Sequence, residues 1–367
     1  MRRTPAGGGV LLLLLVIFDF GHSLHVELAK RSIKLHDERK PLSRYKREWI
    51  IPPVSIREEQ DNSYKNPIAR IQSDVKMDVR KRIRYSIVGR GVTEPPLGLF
   101  IIDERTGDLN VTGIVDREDI DMFFLKGYAK DETGKDVEPP IELRVSVEDI
   151  NDNSPVFISD VFVCSVEEMS ETSTLIMVLN ATDADKPNTL NTKLAYKILS
   201  QVPGDKLLFM LTKDGEVRTT STKIDREQQT SYSLEVEVKD RDGDPNGGLS
   251  GTAKVKIKVI DVNDNIPTLE KEEYSGEVEE NVEGVEILRM KAFDQDEEFT
   301  DNWFANFTII SGNEGGHFKI ITDEETNEGV LMLVKEADYE MMQNAQLSVV
   351  VSNRAEYHSS IMHLISG

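Results

Sequence analysis

Residues 149–157 have the sequence DINDNSPVF, and this segment gives the strongest indication of the fold. Its first five residues place four oxygen-bearing side chains around one isoleucine, and a proline follows shortly afterwards. A second copy, DVNDNIPTL, occupies residues 261–269. We call residues 149–153 joint one and residues 261–265 joint two. An oxygen-rich cluster repeated just before a proline indicates two equivalent connections between domains.

Other motifs recur with the same period. Asp116-Arg117-Glu118 returns as Asp225-Arg226-Glu227 and again as Asp338-Tyr339-Glu340, at separations of 109 and 113 residues. DAD at 183–185 returns as DQD at 294–296. A unit of this length is the size of one β-sandwich domain. The spacing predicts three domains, 48–153, 154–265 and 266–367, with the third ending before its closing joint.

Apolar and polar residues alternate in short runs throughout the chain after residue 48. ELRVSV (142–147) and KVKIKV (254–259) are examples, and DERTGD (103–108) is one of the polar turns between such runs. This period of two predicts strands with one face in a core and the other in water. Helical periodicity over long stretches is absent, so the pattern predicts an all-β sandwich or barrel.

The N-terminus predicts export from the cell. Two arginines precede an apolar run from Val10 to Phe18, and small polar residues follow. The run is too short for a membrane span, so residues 1–23 are interpreted as a signal peptide. We expect the chain to be secreted, or to be the outer part of a longer protein that carries a membrane anchor.

Residues 24–47 form a short basic segment that ends in Arg44-Tyr45-Lys46-Arg47. Proprotein convertases recognise an Arg-X-Lys/Arg-Arg motif through acidic pockets. The motif stands between the signal peptide and the first patterned strand. We therefore interpret residues 24–47 as a propeptide that is cleaved after Arg47, with Arg44, Lys46 and Arg47 as the recognised cations.

Charge and residue content exclude several classes of function. A net charge of −22 argues against a nucleic-acid partner. None of the six histidines lies between residues 48 and 265, and the single cysteine, Cys164, has no histidine in its own domain. The carboxylates recur at the joints and do not converge once, as a glycosidase pair does. The sequence therefore predicts that the protein is not an enzyme.

The acidic motifs predict calcium. Carboxylates, amide oxygens and carbonyls are hard ligands, and Ca²⁺ takes about six to eight of them. An EF-hand in the loop from Asp240 is rejected because Pro245 stands where that loop requires glycine. No single stretch supplies enough ligands, so each joint has to gather them from motifs distant in sequence.

The ordered set of Glu, D-R-E, D-x-N-D-N and D-x-D resembles the cadherin repeat. Four stretches are similar to the desmosomal branch, the desmogleins: NPIARI (66–71), PPLGLFIID (95–103), NATDADKPNTLN (180–191) and DNWFANFT (301–308). The resemblance implies tandem Greek-key β-sandwiches of about seven strands each. It also implies calcium-binding linkers and calcium-dependent adhesion between cells at the desmosome.

The resemblance also implies a set of calcium ligands, which would hold about three Ca²⁺ ions at each joint. At joint one, the implied side-chain ligands are Glu58, Asp116, Glu118, Asn151, Asp152, Asp183, Asp185 and Asp240, with backbone oxygens from Ile150, Asn153 and Asn191. At joint two they are Glu168, Asp225, Glu227, Asn263, Asp264, Asp294 and Asp296, with backbone oxygens from Val262, Asn265 and Asn302.

Joint two departs from the pattern at one position. The residue that matches Asp240 in the third repeat is Asn353. Joint one therefore has seven carboxylates among its implied ligands and joint two has six. This difference predicts weaker binding of the outermost ion at joint two.

The start of the mature chain, EWIIPPVSI (48–56), is similar to the adhesive N-terminus of these proteins. The resemblance implies that the first strand exchanges between partner molecules and that Trp49 fills a pocket on the partner. The implied pocket positions are Tyr128, Ala129 and Ile141, and the implied partner of the new ammonium group at Glu48 is Glu138. Pro52 and Pro53 cannot donate ladder hydrogen bonds, which keeps the strand from settling in its own sheet.

The implied partners are other desmosomal cadherins, either desmocollins or copies of the same protein on the opposing cell. A soluble decoy or signalling receptor with the same ectodomain is the alternative function. Three sequons predict N-glycosylation, at Asn110, Asn180 and Asn306. The basic run at residues 80–84 is interpreted as a solvated strand edge, with heparan sulfate binding as the alternative.

Overall fold

The computed structural model describes residues 51–73, 82–204 and 206–365. Several predicted features lie outside the described residues: the predicted signal peptide and propeptide, the predicted cleavage motif at Arg44, Lys46 and Arg47, and the predicted adhesive residues Glu48 and Trp49. The described chain is almost entirely β, in three successive sandwiches, which confirms the predicted fold class.

The first sandwich has two sheets. One has the strand order β1-β7-β6-β3 and the other β2-β5-β4, and a 3₁₀ turn at Ser63–Lys65 follows the first strand. The first strand, β1, runs parallel to the last, β7, with Val54 opposite Val145. The seven strands are β1 (Val54–Arg57), β2 (Ala69–Arg70), β3 (Arg84–Gly89), β4 (Phe100–Ile102), β5 (Asp108–Val111), β6 (Met122–Lys130) and β7 (Ile141–Glu148).

Alternation along β6 places side chains on two faces, as the sequence predicts. Phe123 and Leu125 are buried, whereas Phe124 between them is exposed. Phe123 meets Phe100 of the opposite sheet edge to face, with ring centroids 5.0 Å apart. These contacts fix the two sheets face to face, and so fix the loops at the end of the sandwich that leads into joint one.

The second sandwich repeats this plan with nine strand segments. The additional segments arise because its first strand is divided into β8 and β9, and its second into β10 and β11. Its sheets have the orders β12-β15-β16-β9, β10-β14-β13 and β11-β8. The strands are β8 (Val156–Phe157), β9 (Val161–Glu167), β10 (Leu175–Val178), β11 (Ala181–Thr182), β12 (Ala195–Val202), β13 (Phe209–Leu211), β14 (Glu216–Thr219), β15 (Ser231–Lys239) and β16 (Ser250–Ile260).

The third sandwich has six strands in the described chain. Its sheets have the orders β17-β18-β21-β20 and β19-β22. Residues 271–279, which correspond to β9 of the second repeat, form no strand. In the second repeat, β9 is held by parallel pairing with β16, and the described part of the third repeat has no counterpart of that strand. The elements are β17 (Thr268–Leu269), β18 (Val285–Phe293), β19 (Ala305–Ser311), β20 (Phe318–Asp323), β21 (Glu328–Leu333), β22 (Ser348–Asn353) and a short helix, α1 (Met362–Ile365).

Gly107 shows why the turn between β4 and β5 requires glycine. Its φ is +75°, and a Cβ atom there would lie 1.9 Å from the carbonyl oxygen of Ile71. Only glycine adopts this conformation and leaves room for the neighbouring backbone. Among the described residues, no helix is long and apolar enough to cross a membrane.

Candidate metal centres at the two joints

Glu58 connects the segments that form joint one. It follows β1 directly, and its side chain is fully buried. Its Oε2 accepts a hydrogen bond from the backbone N–H of Arg117 at 2.8 Å, and its Oε1 accepts one from that of Ile150 at 2.7 Å. One carboxylate thus ties together the end of β1, the D-R-E turn and the joint itself.

Glu168 plays the same part at joint two. It is 2% exposed. Its Oε2 accepts from the N–H of Arg226 at 2.7 Å, and its Oε1 accepts from that of Val262 at 2.9 Å. The two joints therefore share one construction, as the repeat in the sequence predicts.

Carboxylates distant in sequence converge at joint one. Each of three groups brings three oxygens within 4.8 Å of one another, and the groups combine residues of the first repeat, the joint and the second repeat. The groups are Glu58 with Glu118 and Asp152, Glu118 with Asp149 and Asp185, and Asp183 with Asp185 and Asp240.

Joint two has matching groups. They include Glu168 with Asp225 and Glu227, and Glu227 with Asp264 and Asp296. Glu227 belongs to these two groups, just as Glu118 belongs to two at joint one. The structure thus brings together side chains that are distant in sequence, as in the group that contains both Glu58 and Asp152.

Burial raises the pKa of these acids, and repulsion from neighbouring carboxylates adds to its effect. Glu118 and Glu227 each reach a pKa of about 7, and Asp296 reaches about 8. A cation bound between these oxygens would stabilise their charged form and oppose both causes. The same two causes raise the pKa of Asp152, Asp183, Asp185, Asp264 and Asp294.

Buried oxygens without hydrogen-bond partners test whether a metal fits. An unsatisfied buried acceptor costs about 1–3 kcal/mol, so a cluster of them requires a partner. They are all hard donors of the kind that Ca²⁺ binds. Within the described chain, the unpaired oxygens at the joints are Asn151 Oδ1, Asp183 Oδ2, Asp185 Oδ2 and Asp240 Oδ2 at joint one, and Asn263 Oδ1, Asp296 Oδ2 and Asn353 Oδ1 at joint two.

Four other predicted ligand residues form hydrogen bonds at the joints. Asp116 accepts the N–H of Glu118 at 2.9 Å, and the Asn153 amide donates to Asp185 at 3.0 Å. Asn265 makes the same bond to Asp296 at 2.9 Å. The carbonyl oxygen of Ile150 accepts the N–H of Asp152 at 3.2 Å, which leaves a second lone pair for a cation.

Asn353 lies at the end of β22, where it meets the D-Q-D motif. Its Nδ2 donates to Asp294 Oδ2 at 2.7 Å and also to the carbonyl oxygen of Asn302, a predicted backbone ligand. At joint one, Asp240 presents a carboxylate to Asp183 and Asp185. An amide thus occupies the position of a carboxylate and donates hydrogen bonds to two of the oxygens that a cation would need.

This geometry predicts a difference in calcium affinity between the joints. Asn353→Asp adds one negative charge to the third repeat and removes the amide donor, so we expect tighter binding at joint two. At about 4 Å and an effective dielectric constant near 20, one unit pair interacts by about 4 kcal/mol before screening, which makes a gain of at least tenfold reasonable. Calorimetric titration of both proteins measures the gain, and equal affinities of the two joints in the wild type would contradict the expectation.

Sequence reasoning missed the arginine and the first aspartate of each joint. Arg117 and Asp149 form a buried ion pair with Nε and Oδ1 2.6 Å apart, and Arg226 and Asp261 form the same pair at joint two. Both residues stand in the repeated motifs, so the period alone marks them. The set of ligands that the resemblance implies does not include them.

The structure describes the residues that are predicted to line the adhesive pocket, but not the residues Glu48 and Trp49 that are predicted to enter it. Ala129 and Ile141 are buried, 2% and 8% exposed. Tyr128 adjoins Ala129 on β6, and alternation therefore turns it to the opposite face, where Lys130 Nζ lies 5.5 Å from its ring centroid. Tyr128 thus does not share a pocket wall with Ala129, which corrects that assignment. Glu138 Oε2 is buried and has no hydrogen-bond partner among the described residues.

The three sequons are accessible in different degrees. Asn180 and Asn306 are exposed, whereas Asn110 on β5 is partly buried, opposite Ile101. Glycosylation at each position stays a prediction.

A family model for the cadherin domain matches residues 52–148, 162–260 and 274–364. Each match lies inside one of the three segments that the sequence period predicts. Together the matches cover most of the chain.

Individual relatives are desmosomal. The chain is 49% identical to mouse desmoglein-2 over 370 residues, which is 99% of this chain and 33% of that protein. It is 44% identical to human desmoglein-3, covering 99% of this chain and 36% of that one. The crystal structure of the human desmocollin-1 ectodomain is similar at a TM-score of 0.76 and 40% identity, over 85% of this chain and 57% of that one. The chain therefore spans about a third of the length of the curated relatives it matches.

Proposed function

The chain belongs to the cadherin family, and we propose that it mediates calcium-dependent adhesion between cells as the N-terminal part of a desmosomal ectodomain. Cadherins and desmogleins are adhesion proteins and not enzymes. The observation that carries the proposal is the set of buried, unpaired oxygens that recurs at both joints. An adhesion protein needs repeats held at fixed angles, and a cation-filled joint provides them.

Ca²⁺ bound at a joint would supply the positive charge that the crowded carboxylates lack. Glu58, Glu118 and Asp152 would hold it on the side of the first repeat, and Asp183, Asp185 and Asp240 on the side of the second. The joint contributes its amide and carbonyl oxygens between these two sets. Extracellular modules of this kind bind Ca²⁺ with Kd of about 10⁻⁴–10⁻³ M.

The proposed adhesive step is exchange of the first strand. Cleavage after Arg47 would free an ammonium group at Glu48 and let Trp49 reach the partner's pocket near Ala129 and Ile141. The buried, unpaired Glu138 Oε2 is an acceptor suited to that ammonium. The partners would be desmocollins or other copies of this chain.

The proposal also assigns the chain's remaining parts. Residues 1–23 would direct secretion, residues 24–47 would be removed, and the three repeats would occupy 48–153, 154–265 and 266–367. The mature protein would act at the cell surface, in the desmosome, with a membrane anchor only in a longer form.

Bead aggregation tests this function. Beads coated with the mature chain are mixed with each other, or with beads coated with a desmocollin ectodomain, in Ca²⁺ or in chelator. We expect clusters only in Ca²⁺, in at least one of the two mixtures. Binding to cells without clustering of beads in either mixture would favour a decoy or signalling role.

A further inference from the structure

One of the three sequons has an aromatic neighbour on the same face of its strand. Asn306 and Thr308 are exposed on β19, whereas Ala305 and Phe307 belong to the buried core of the third repeat. Phe304 directly precedes β19 and is half-buried. Because side chains alternate along a strand, Phe304, Asn306 and Thr308 follow one another on the outer face, about 6.8 Å apart.

The opposite strand supports this orientation. Backbone pairing places Asn306 opposite Ser352 of β22. Next along the same ladder, the N–H of Arg354 donates to the carbonyl oxygen of Phe304 at 2.8 Å. The guanidinium of Arg354 lies 4.5 Å from the centroid of the Phe304 ring. This cation–π contact holds the ring on the outer face, beside the sequon.

The arginine that supports the ring is itself held in place. Its Nη2 donates to Glu324 Oε1 at 3.0 Å, and its Nη1 lies 3.5 Å from Asp301 Oδ1. The indole of Trp303 also contacts the Phe304 ring, with centroids 5.4 Å apart. The ring therefore has fixed neighbours on the protein side, and its half-exposed remainder faces solvent.

The other two sequons lack such a neighbour. The residue two positions before the asparagine is Asp108 for Asn110 and Val178 for Asn180. Among the three sequons, an aromatic residue occupies this position only before Asn306. The chain thus contains its own comparison for the effect of an aromatic side chain on a glycan.

The Asn306 side chain is available for modification. Neither its amide nor the Thr308 hydroxyl has a hydrogen-bond partner among the described residues. Glycosylation replaces one hydrogen of Asn306 Nδ2 with a bond to C1 of the first sugar, N-acetylglucosamine. The bond from C1 to the pyrophosphate of a lipid-linked donor breaks, and the pyrophosphate leaves with the electron pair of that bond while Nδ2 releases its proton.

We propose that the first sugar of a glycan on Asn306 packs against the Phe304 ring and stabilises the third repeat. The C–H groups of a pyranose carry a slight positive charge, and the face of an aromatic ring is negative, so the two attract each other. Packing also removes apolar surface of the ring and the sugar from water. This role goes beyond adhesion, because it concerns the stability of one repeat.

The third repeat has the most to gain from such a contact. In the described chain, its buried apolar cluster has five members, whereas that of the second repeat has fifteen, so less of its stability comes from the core. Its strands β19 and β22 form a sheet of two described strands, an arrangement that is marginal without further packing. A sugar over the outer face adds packing there.

A thermodynamic cycle tests the contact. The chain is secreted from cells that make only high-mannose glycans, and an endoglycosidase trims each glycan to one N-acetylglucosamine. Trp49→Phe leaves Trp303 as the only tryptophan, so its fluorescence follows unfolding of the third repeat in Ca²⁺. Asn306→Gln removes the sugar. We expect the sugar to raise the unfolding temperature by about 3 °C or more when Phe304 is present, and by less than about 1 °C in Phe304→Leu.

Further variants separate the sugar contact from folding. Phe304→Tyr keeps an aromatic face and should keep the increase, and Phe304→Met repeats the cycle if Phe304→Leu is not secreted. Asn180→Gln removes a sequon preceded by Val178 and should leave the Trp303 transition unchanged. Mass spectrometry of peptides measures modification of Asn306. An unmodified Asn306, or an increase of equal size with and without the aromatic ring, would overturn the proposal.

Discussion

Replacing Trp49 with alanine is expected to abolish calcium-dependent aggregation of beads coated with the mature chain. Burying this indole on a partner is worth about 2–3 kcal/mol by area. Exchange of equivalent strands leaves little net affinity between two molecules. Losing about 2–3 kcal/mol weakens that affinity by about 30-fold or more, which is enough to prevent binding. Many weak contacts between beads amplify the difference. Aggregation measured by light scattering should fall to the level seen in chelator.

The matched control is Phe124→Ala. Phe124 is an aromatic residue of the first repeat, 61% exposed on the face of β6 opposite to Ala129. Its removal should leave aggregation intact. Undiminished aggregation of Trp49→Ala beads would show that another surface provides the adhesive contact.

Processing should act through the same step. Arg47→Ala blocks cleavage and leaves the 24–47 segment where a partner strand must dock, so we expect no aggregation. Arg39→Ala, outside the motif, should behave as wild type.

Glu138→Ala should only weaken aggregation, because a partly exposed ion pair contributes about 1 kcal/mol or less. An uncleaved protein that aggregates beads as well as the mature one would contradict strand exchange.

Asp185→Asn is expected to reduce calcium affinity at joint one on the order of 100-fold. Asp185 is 1% exposed and belongs to two carboxylate groups of joint one, so one charge serves two candidate sites. A unit charge about 4 Å from another contributes about 4 kcal/mol at an effective dielectric constant near 20, before screening and relaxation. Asparagine keeps the size of the side chain and an acceptor for Asn153, so folding should persist.

Calorimetric titration measures this loss, with joint two as the internal reference because its groups contain no residue of joint one. Asp214→Asn is the control. It removes the same charge from an exposed turn of the second repeat and should leave the affinity unchanged. Equal affinities of Asp185→Asn and wild type would show that Asp185 is not a ligand.

Much of the fold could be predicted because its signals are local and periodic. Alternation along β7 and β16 defined the buried faces, and the period of about 110 residues identified the joints. The acidic motifs also recur at that period, so their convergence at the joints followed from the repeat. The absence of a strand at residues 271–279 did not, since a strand depends on a partner that the sequence pattern does not display.

The side-chain network within each joint was harder to predict. Arg117 reaches Ala184, a contact between residues 67 positions apart that depends on how two sandwiches are placed. The sequence shows that Asn353 lacks the negative charge of its counterpart Asp240. The structure adds that the amide of Asn353 donates a hydrogen bond to Asp294. Tyr128 was assigned to the same pocket as Ala129 on the basis of the family resemblance alone. Alternation along the strand would have separated them, because adjacent residues face opposite sides of a sheet.

Equilibrium dialysis of the mature chain against Ca²⁺ measures whether the two joints are calcium sites. We expect saturable binding of about three ions at each joint, with half-saturation near 10⁻⁴–10⁻³ M. A variant with Asp185→Asn and Asp296→Asn, one substitution in each joint, should lose most of this binding. Stoichiometric binding absent up to about 10⁻² M, well above the range of such extracellular sites, would contradict the account.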